Sequence, residues 1–272
     1  MANSLLAIVP RREERRIITF IRHAISTSGT KGVVVGLSGG VDSAVVGSLC
    51  VRALGGEKVL AAMLPSRYTP PADMEDALRM ATRWGVDRIT VPISPLVEKL
   101  VAATGPIEAR LPPANVQARV RMTILYYLAN SKNLLVAGTG DRSEEMLGFF
   151  TKFGDGGVDL LPIAHLYKTQ VRLLGEYLGL PPEVVKKPAS PQLWPGHTAE
   201  EELPAGYEKL DVVMHFLFDV GASVPAASSK AGVSRIVVDR VLKMHARSAH
   251  KRALPISLRP TTSRTTLSRA KD

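Results

Sequence analysis

Hydrophobic positions form two different patterns along this chain, which are short continuous runs and a helical repeat. Short aliphatic runs are typical of buried parallel strands, and apolar residues recurring every three or four positions are typical of amphipathic helices. The runs predict strands at residues 32–37, 58–64, 87–93 and 133–137. The helical repeat predicts helices at residues 11–28, 42–54, 72–84, 95–103, 114–130, 168–179, 204–219, 224–231 and 234–248, with a short helix near 144–148.

The alternation of strands and helices predicts an α/β fold. Its sheet is expected to be parallel and doubly wound, with helices on both faces. Right-handed crossovers favour five strands in the order 3-2-1-4-5, which places the first and fourth strands side by side. Their connections run in opposite directions, and ligands bind in the crevice at their carboxyl ends. We expect one domain over residues 1–258 and a basic, disordered tail over residues 259–272.

The first strand runs into a loop rich in glycine and serine, which reads Gly-Leu-Ser-Gly-Gly-Val-Asp-Ser at residues 36–43. Glycines let backbone N–H groups approach an anion closely, and the following helix adds its positive dipole end. The lysine of a Walker A loop is missing, and the G-x-x-G-G spacing differs from the dinucleotide fingerprint. The segment therefore predicts a phosphate-binding loop of another type, in which Asp42 can hold a divalent cation.

The loop after the fourth strand is rich in acidic residues. It reads Gly-Thr-Gly-Asp-Arg-Ser-Glu-Glu at residues 138–145, and the topology brings it beside the phosphate-binding loop. Proteins hold Mg²⁺ with one or two carboxylates together with phosphate oxygens. The two loops together therefore predict a site for a magnesium–nucleotide complex.

Composition narrows the possible classes of protein. No run of 18 apolar residues predicts a membrane span, and the N-terminal residues lack the basic-then-apolar order of a signal peptide. Cys50 is the only cysteine and is expected to be a buried thiol, which favours a reduced, cytoplasmic protein. Of the formal net charge of +10, most lies in residues 231–272, where ten lysines and arginines face two aspartates.

Four segments, two of which are described above, occur together and in a fixed order. They are Ser-Gly-Gly-x-Asp-Ser at 38–43, Asn-x-x-Ala-Arg-x-Arg-Met at 115–122, Gly-Thr…Glu at 138–144 and Gly-Phe-Phe-Thr-Lys-x-Gly-Asp-Gly at 148–156. Lys-Pro-Ala-Ser at 187–190 and His-Lys-Arg at 250–252 follow. Through these motifs the chain, over about residues 10–258, closely resembles the ammonia-dependent NAD synthetases of the N-type ATP pyrophosphatase superfamily.

The resemblance implies a fold of the adenine nucleotide alpha hydrolase type and a ligase that forms a carbon–nitrogen bond. The implied reaction is the last step of NAD biosynthesis. The nicotinate carboxylate of deamido-NAD attacks the α-phosphorus of ATP, diphosphate leaves, and ammonia displaces AMP from the adenylate. Catalysis of this kind is mostly positioning and neutralisation of charge. The implied assembly is a homodimer, and we expect neither nucleic acid nor membrane as a partner.

The resemblance also implies roles for individual residues. The ATP site would be formed by Gly36, Leu37, Ser38, Gly39, Gly40, Val41, Asp42, Ser43, Thr139, Lys168 and Ser190. The deamido-NAD site would be formed by Arg119, Lys152, Asp159, His250 and Lys251. Asp42 and Glu144 would hold Mg²⁺, with Asp141 or Glu145 open as further ligands, and the catalytic residues would be Asp42, Lys152 and Asp159.

Other interpretations exist for parts of the chain. A transfer-RNA thiolase shares the phosphate-binding loop, but it needs reactive cysteines, and Cys50 lies within a predicted helix. A glutamine amidotransferase needs a further hydrolase domain, for which we expect no room after residue 258, so free ammonia or ammonia delivered by another protein is the expected nitrogen source. Residues 226–242 are similar to a DNA-binding helix-turn-helix, although the acidic, glycine-rich centre of the chain has no role in such a protein. His250 and Lys251 could belong to a solvated basic tail, and Asp159 could be a turn residue.

Overall fold

A parallel sheet lies at the centre of the computed structural model, which describes residues 4–105 and 107–258. Its strands are β1 (Gly32–Gly36), β2 (Val59–Met63), β3 (Asp87–Thr90) and β4 (Leu134–Ala137). Their order is β3-β2-β1-β4, and every pairing is parallel. The predicted α/β class is confirmed, and these four strands have the predicted relative order. The predicted tail at 259–272 lies outside the described residues.

The expected fifth strand does not form in the described part of the chain. In its place a single parallel bridge joins Ala137 to Leu160. The amide of Gly138 donates to the carbonyl of Leu160 at 2.9 Å, so the segment does lie beside β4. Pro162 follows two positions later and has no N–H group to continue a ladder. The five-stranded order 3-2-1-4-5 therefore overestimates the regular pairing at this edge.

Eleven helices surround the sheet within the described ranges. They are α1 Pro10–Ser28, α2 Val41–Leu54, α3 Pro71–Trp84, α4 Ser94–Thr104, α5 Leu111–Lys132, α6 Arg142–Leu147, α7 Lys168–Tyr177, α8 Pro182–Val185, α9 Tyr207–Met214, α10 Val224–Ala231 and α11 Arg235–Arg247. None of these is both long and apolar enough to cross a bilayer.

Several boundaries differ from the sequence prediction: α7 ends at Tyr177 and not at 179, and β3 ends at Thr90 and not at 93. Two further differences have clear local reasons. Helix α5 begins at Leu111, before Pro112 and Pro113, because the first turn of a helix does not need the N–H groups that proline lacks. The predicted helix at 204–219 is shorter, since α9 ends at Met214 and continues as a π-helical turn over His215–Asp219.

The sheet is covered on both faces, as predicted. Val33 and Val35 of β1 face a core formed with α1, α2, α3 and α7. Val34 points the other way, into a core shared with α4 and α5. A separate apolar cluster joins α6 to α9, α10 and α11. Because α6 follows β4 directly, this cluster builds a helical layer beside the carboxyl ends of β1 and β4.

Candidate functional site

The loop between β1 and α2 is held in a defined shape by its own serines. The hydroxyl of Ser43 donates to the carbonyl of Gly40 at 3.0 Å and accepts from the amide of Ser38 at 3.2 Å. Gly39 has φ +81°, and a Cβ atom built there would lie 2.2 Å from the carbonyl oxygen of Asp73. The loop therefore needs glycine at this position, both for its backbone conformation and for its contact with α3.

Helix α2 starts at this loop without a side-chain cap. Its N-cap residue, Gly40, offers no side chain, so the amides of the first turn remain without a capping partner. Uncapped amides at the positive end of a helix dipole are an arrangement that suits an anion. The predicted phosphate-binding residues 36–43 are thus brought together at the carboxyl end of β1.

The start of α6 lies at the carboxyl end of the neighbouring strand, β4. Asp141 caps this helix by accepting from the amide of Glu144 at 2.8 Å, and Glu144 accepts from the amide of Asp141 at 3.3 Å. Thr139 lies between β4 and this cap and is half-buried. The reciprocal cap holds the two carboxyl groups in a fixed relation.

Lys168, the first residue of α7, joins the two loops. Its side chain is 1 % exposed, and Nζ lies 2.6 Å from Oδ2 of Asp42, 3.0 Å from Oε1 of Glu144 and 3.0 Å from Oδ2 of Asp141. The contact with Asp141 does not have hydrogen-bond geometry, since Oδ2 has no hydrogen-bond partner among the described residues. One ammonium group therefore faces three carboxylates.

Burial and neighbouring charges shift the pKa values of Lys168 and Glu144. Burial alone would lower the pKa of Lys168, but Asp141, Asp42 and Glu144 together hold it well above its usual value. Burial raises the pKa of Glu144 to about 8, and Asp141 adds to this rise while Lys168 opposes it. A further cation bound beside these carboxyl groups would favour their charged forms, because an opposite charge nearby lowers the pKa of a carboxyl group.

The donor set of this cluster fits Mg²⁺. Asp42 and Glu144 supply hard carboxylate oxygens, and Oδ1 of Asp42 is buried without a hydrogen-bond partner in the described ranges. Over those same ranges, no group of three histidine, cysteine or acidic side chains forms a metal cage by itself. A magnesium ion bound here would need phosphate oxygens or water to complete its shell, as Mg²⁺ in nucleotide sites does.

Lys187 is a contact of the phosphate-binding loop that the sequence analysis missed. Its Nζ donates to the carbonyl of Gly39 at 3.1 Å, to Oδ1 of Asp73 at 2.7 Å and to Oδ2 of Asp76 at 2.6 Å. Burial acts to lower the pKa of Lys187, but the hydrogen bonds to Asp73 and Asp76 outweigh burial. The pKa therefore lies above its usual value. The Lys-Pro-Ala-Ser motif marked this segment, but only Ser190 was singled out there.

Ser190 itself bonds within its own loop. Its hydroxyl donates to the carbonyl of His197 and accepts from the amide of Gln192 at 3.3 Å. Lys187 attaches this loop to the phosphate-binding loop, so Ser190 is brought to the same side of the molecule. Its role in binding ATP stays a prediction.

Three of the residues predicted for deamido-NAD form a chain of contacts. Arg119 on α5 donates to the carbonyl of Lys152 at 3.3 Å, and Nζ of Lys152 donates to the carbonyl of His250 at 2.7 Å. The structure thus brings Arg119, Lys152 and His250 together from three distant parts of the chain. Both cationic groups lie at an accessible surface, where they can contact an anionic ligand.

The other two predicted residues contact different parts of the chain. Asp159 accepts from the amide of Val136 at 2.7 Å and from the hydroxyl of Tyr126 at 3.0 Å. Lys251 donates to the carbonyls of Gly148 and Phe150 at 2.7 and 2.6 Å. These contacts stabilise the edge of β4 and the segment after α6, so any contact with a ligand would be additional.

Cys50 is fully buried in α2, as predicted. Burial raises the pKa of its thiol to about 12. The thiol therefore stays protonated at neutral pH, and the reactive thiolate that a thiolase needs is not available at this position.

The chain is similar to known proteins over most of its length. The family model described as NAD synthase matches residues 13–255. The NH(3)-dependent NAD(+) synthetase of Hyperthermus butylicus is 49 % identical over 254 residues, which are 93 % of this chain and 92 % of that protein. The protein of the same description from Archaeoglobus fulgidus is 46 % identical over 241 residues, covering 88 % of this chain and 93 % of the relative.

The chain is also similar to solved structures. An NMN synthetase from Francisella tularensis superposes with a TM-score of 0.83 at 35 % identity and covers 93 % of this chain and 99 % of that chain. An NH3-dependent NAD synthetase from Campylobacter jejuni superposes with a TM-score of 0.79 at 27 % identity, covering 93 % and 100 % of the two chains.

Proposed function

The chain belongs to the NAD synthase family, and on that premise we propose that it amidates deamido-NAD with ammonia. ATP is consumed and yields AMP and diphosphate, and the product is NAD. The enzyme is a ligase that forms a carbon–nitrogen bond. The observation that carries the proposal is the position of Lys168, which joins the phosphate-binding loop to the acidic start of α6.

The first half-reaction follows from the residues of the ATP site. The free amides at the start of α2 and the hydroxyls of Ser38 and Ser43 bind phosphate oxygens. Asp42 and Glu144 would hold Mg²⁺, which neutralises phosphate charge when it is bound. Lys168 supplies a second cationic group between the same carboxylates. Together these groups stabilise the charge that develops as diphosphate leaves the α-phosphorus.

The acid to be activated needs cationic contacts of its own. A free carboxylate is a poor acyl donor, because its leaving group would be oxide, whereas an adenylated carboxylate loses AMP readily. Arg119, Lys152 and His250 form a connected group that suits the negatively charged acid and its phosphates. Lys251 holds the segment beside this group, and Asp159 lies at the edge of β4. We assign all five residues to the deamido-NAD site, with Lys152 and Asp159 as its catalytic members.

One assay tests this function. Purified protein is incubated with ATP, Mg²⁺, deamido-NAD and an ammonium salt, and the products are separated by chromatography. We expect AMP, diphosphate and NAD in equal amounts. Formation of ADP, or intact ATP when both co-substrates are present, would contradict the proposal. A parallel reaction with nicotinate mononucleotide is needed, because one similar structure is that of an NMN synthetase. Faster turnover of the mononucleotide would change the assigned substrate and leave the chemistry intact.

A homodimer is the assembly that we propose. Helices α4 and α5 expose large apolar side chains, which burial against a second copy of the chain would remove from water. The side chains are Leu96, Leu100, Leu111 and Tyr127, exposed by 46, 45, 59 and 72 %. Analytical ultracentrifugation of the wild type and of Leu100→Glu tests this, and we expect a dimer that the charged variant weakens. We place the reaction in the cytoplasm, because a single buried thiol suits a reducing compartment.

A further inference from the structure

A buried carboxylate that no part of the proposed reaction uses lies behind the ATP site. Asp211 on α9 has no exposed surface. Its Oδ1 accepts from the hydroxyl of Ser143 at 2.6 Å, and its Oδ2 accepts from the amide and the hydroxyl of Thr169 at 2.9 and 2.8 Å. These donors belong to two different helices, α6 and α7.

The contacts of Asp211 extend to the groups that face the nucleotide. The hydroxyl of Ser143 also accepts from the amide of Lys168 at 2.8 Å. Ser143 precedes Glu144 in the chain, and Thr169 follows Lys168. A single carboxylate therefore ties together the backbone segments that carry the ammonium of Lys168 and the carboxyl group of Glu144.

The same contacts satisfy the start of α7. The first amides of a helix have no partner within the helix, and its N-terminal end attracts negative charge. Asp211 accepts directly from the amide of Thr169. Its contact to the amide of Lys168 is indirect, through the hydroxyl of Ser143, which accepts from that amide. The carboxylate of α9 thus caps α7. No side chain of α7 itself accepts from the amides of Lys168 and Thr169.

We propose that Asp211 is a positioning residue for the proposed ATP site, and that it fixes the backbone of Lys168 and Glu144 relative to each other. Burial of a carboxylate is unfavourable unless hydrogen bonds compensate it, and an apolar side chain would pack in a helical core without that cost. The function of the charge is then to hold two helix starts in register. The side chain of Lys168 can exchange partners between carboxylates and phosphates, while its backbone stays in place. This inference rests on the proposed function for the identity of the ligand.

The test compares four proteins: the wild type, Asp211→Ala, Asp211→Asn and Val213→Ala. Val213 is on the same helix, is equally buried and lies in the same apolar cluster, so its truncation reports the loss of packing alone. Thermal unfolding shows that each variant is folded at the assay temperature. Calorimetric titration with Mg-ATP gives the dissociation constant, and steady-state assays give kcat and a KM for each substrate.

We expect Asp211→Ala to weaken binding of Mg-ATP by roughly tenfold or more, the effect of losing a hydrogen bond to a charged group. Its KM for ATP rises and its kcat falls, whereas its KM for deamido-NAD stays unchanged. Asp211→Asn keeps the shape and part of the hydrogen bonding, so its values lie between those of Asp211→Ala and the wild type. Val213→Ala unfolds at a lower temperature but binds Mg-ATP as the wild type does.

Wild-type affinity for Mg-ATP in folded Asp211→Ala would overturn the inference, as would an equal loss of affinity in Val213→Ala. If Asp211→Ala does not fold, Asp211→Asn and Ser143→Ala decide by the same criterion. The two proposals fail in different ways. A wild type that binds Mg-ATP without making NAD refutes the proposed function, and the binding series still judges Asp211.

Discussion

The ammonium of Lys168 lies 2.6 Å from a carboxylate oxygen of Asp42, although 126 positions of the chain separate the two residues. One residue begins α7 and the other lies in the first turn of α2. Lys168 is the largest of the fully buried side chains in the described residues. Together with the contacts of Lys168 to Asp141 and Glu144, this ion pair joins the start of α2 to the start of α6. It also places a cation where the phosphates of a nucleotide are expected.

Replacement of Lys168 by methionine should leave Asp42, Asp141 and Glu144 without their shared counter-charge. Removing one partner of a buried ion pair costs about 3–5 kcal/mol, and we expect a loss of this order in the free energy of unfolding. Turnover of ATP should disappear. Since Mg²⁺ can replace the missing cation, Mg²⁺ alone should raise the melting temperature of Lys168→Met by more than that of the wild type.

Denaturant titrations and melting curves with and without MgCl₂ measure both effects. Lys186→Met, at an exposed position at the end of α8, is the matched control and should behave as the wild type does. An identical response of Lys168→Met and the wild type to Mg²⁺ would argue against a shared cation site at Asp42 and Glu144.

Replacement of Lys187 by methionine should loosen the phosphate-binding loop. The change removes the donor to the carbonyl of Gly39 and the ammonium that Asp73 and Asp76 share, so that Asp76 keeps only its ion pair with Arg79. We expect the KM for ATP to rise by roughly tenfold, which corresponds to about 1.4 kcal/mol. Steady-state kinetics measure this change, with Lys186→Met again as the control. An unchanged KM for ATP would show that the loop keeps its shape without Lys187.

Alanine at Gly39 tests the contact between the loop and α3. A Cβ atom there meets the backbone of Asp73 at 2.2 Å and also forces alanine into φ +81°. Gly29 is the matched control, because it has φ +68° but nothing lies within 4 Å of the position that a Cβ atom would take there. Both variants bear the backbone cost of about 1–2 kcal/mol, and only Gly39→Ala bears the clash in addition.

We expect Gly39→Ala to abolish turnover of ATP and Gly29→Ala to keep it. Melting temperatures should fall in both variants, and more in Gly39→Ala. Comparable activity in the two variants would mean that the loop can move away from α3 without consequence.

The stability of the protein should depend on pH through Asp211. Burial raises the pKa of this carboxyl to about 7, with hydrogen bonds from Ser143 and Thr169 opposing the rise and the charge of Asp141 adding to it. The folded state therefore binds the proton more tightly than the unfolded state, whose pKa is about 3.9. The contribution of Asp211 to the free energy of unfolding is largest below that value and declines as pH rises towards 7, by at most about 1.4 kcal/mol per pH unit.

Asp211→Asn removes this titration. Denaturant unfolding between pH 4 and 8 should show the wild type losing stability relative to the variant across the lower part of that range, and a constant difference above about pH 7. Parallel curves for the two proteins over the whole range would show that Asp211 keeps an ordinary pKa.

The loops at the carboxyl ends of β1 and β4 could be predicted from the sequence because their chemistry is local. A short aliphatic run, glycines in a fixed spacing and a helix start identify the phosphate-binding loop within a dozen residues. The relative order of the four strands follows from the handedness of crossovers. The sheet edge beside β4 could not be predicted equally well. A single bridge at Leu160 and a full fifth strand begin in the same way and differ only in how the chain continues towards Pro162.

The contacts behind the site could not be predicted from the sequence, for a different reason. Lys187 reaches the carbonyl of Gly39 across 148 positions, and Asp211 reaches Ser143 across 68. A lysine in a proline-rich loop and an aspartate in an amphipathic helix are both ordinary surface residues by pattern. Only the packing of the helices decides that Asp211 is buried, that Lys187 is half-buried, and what the two side chains bind.

The cluster around Lys168 has a consequence for the catalytic cycle. A pocket with three acidic groups and no cation would repel itself each time the products leave, and it would have to wait for a new ion before it could close. An amine built into the wall removes that interval. Since this amine belongs to the chain and contacts all three acids, the pocket carries its own counter-charge and does not depend on a free ion for it.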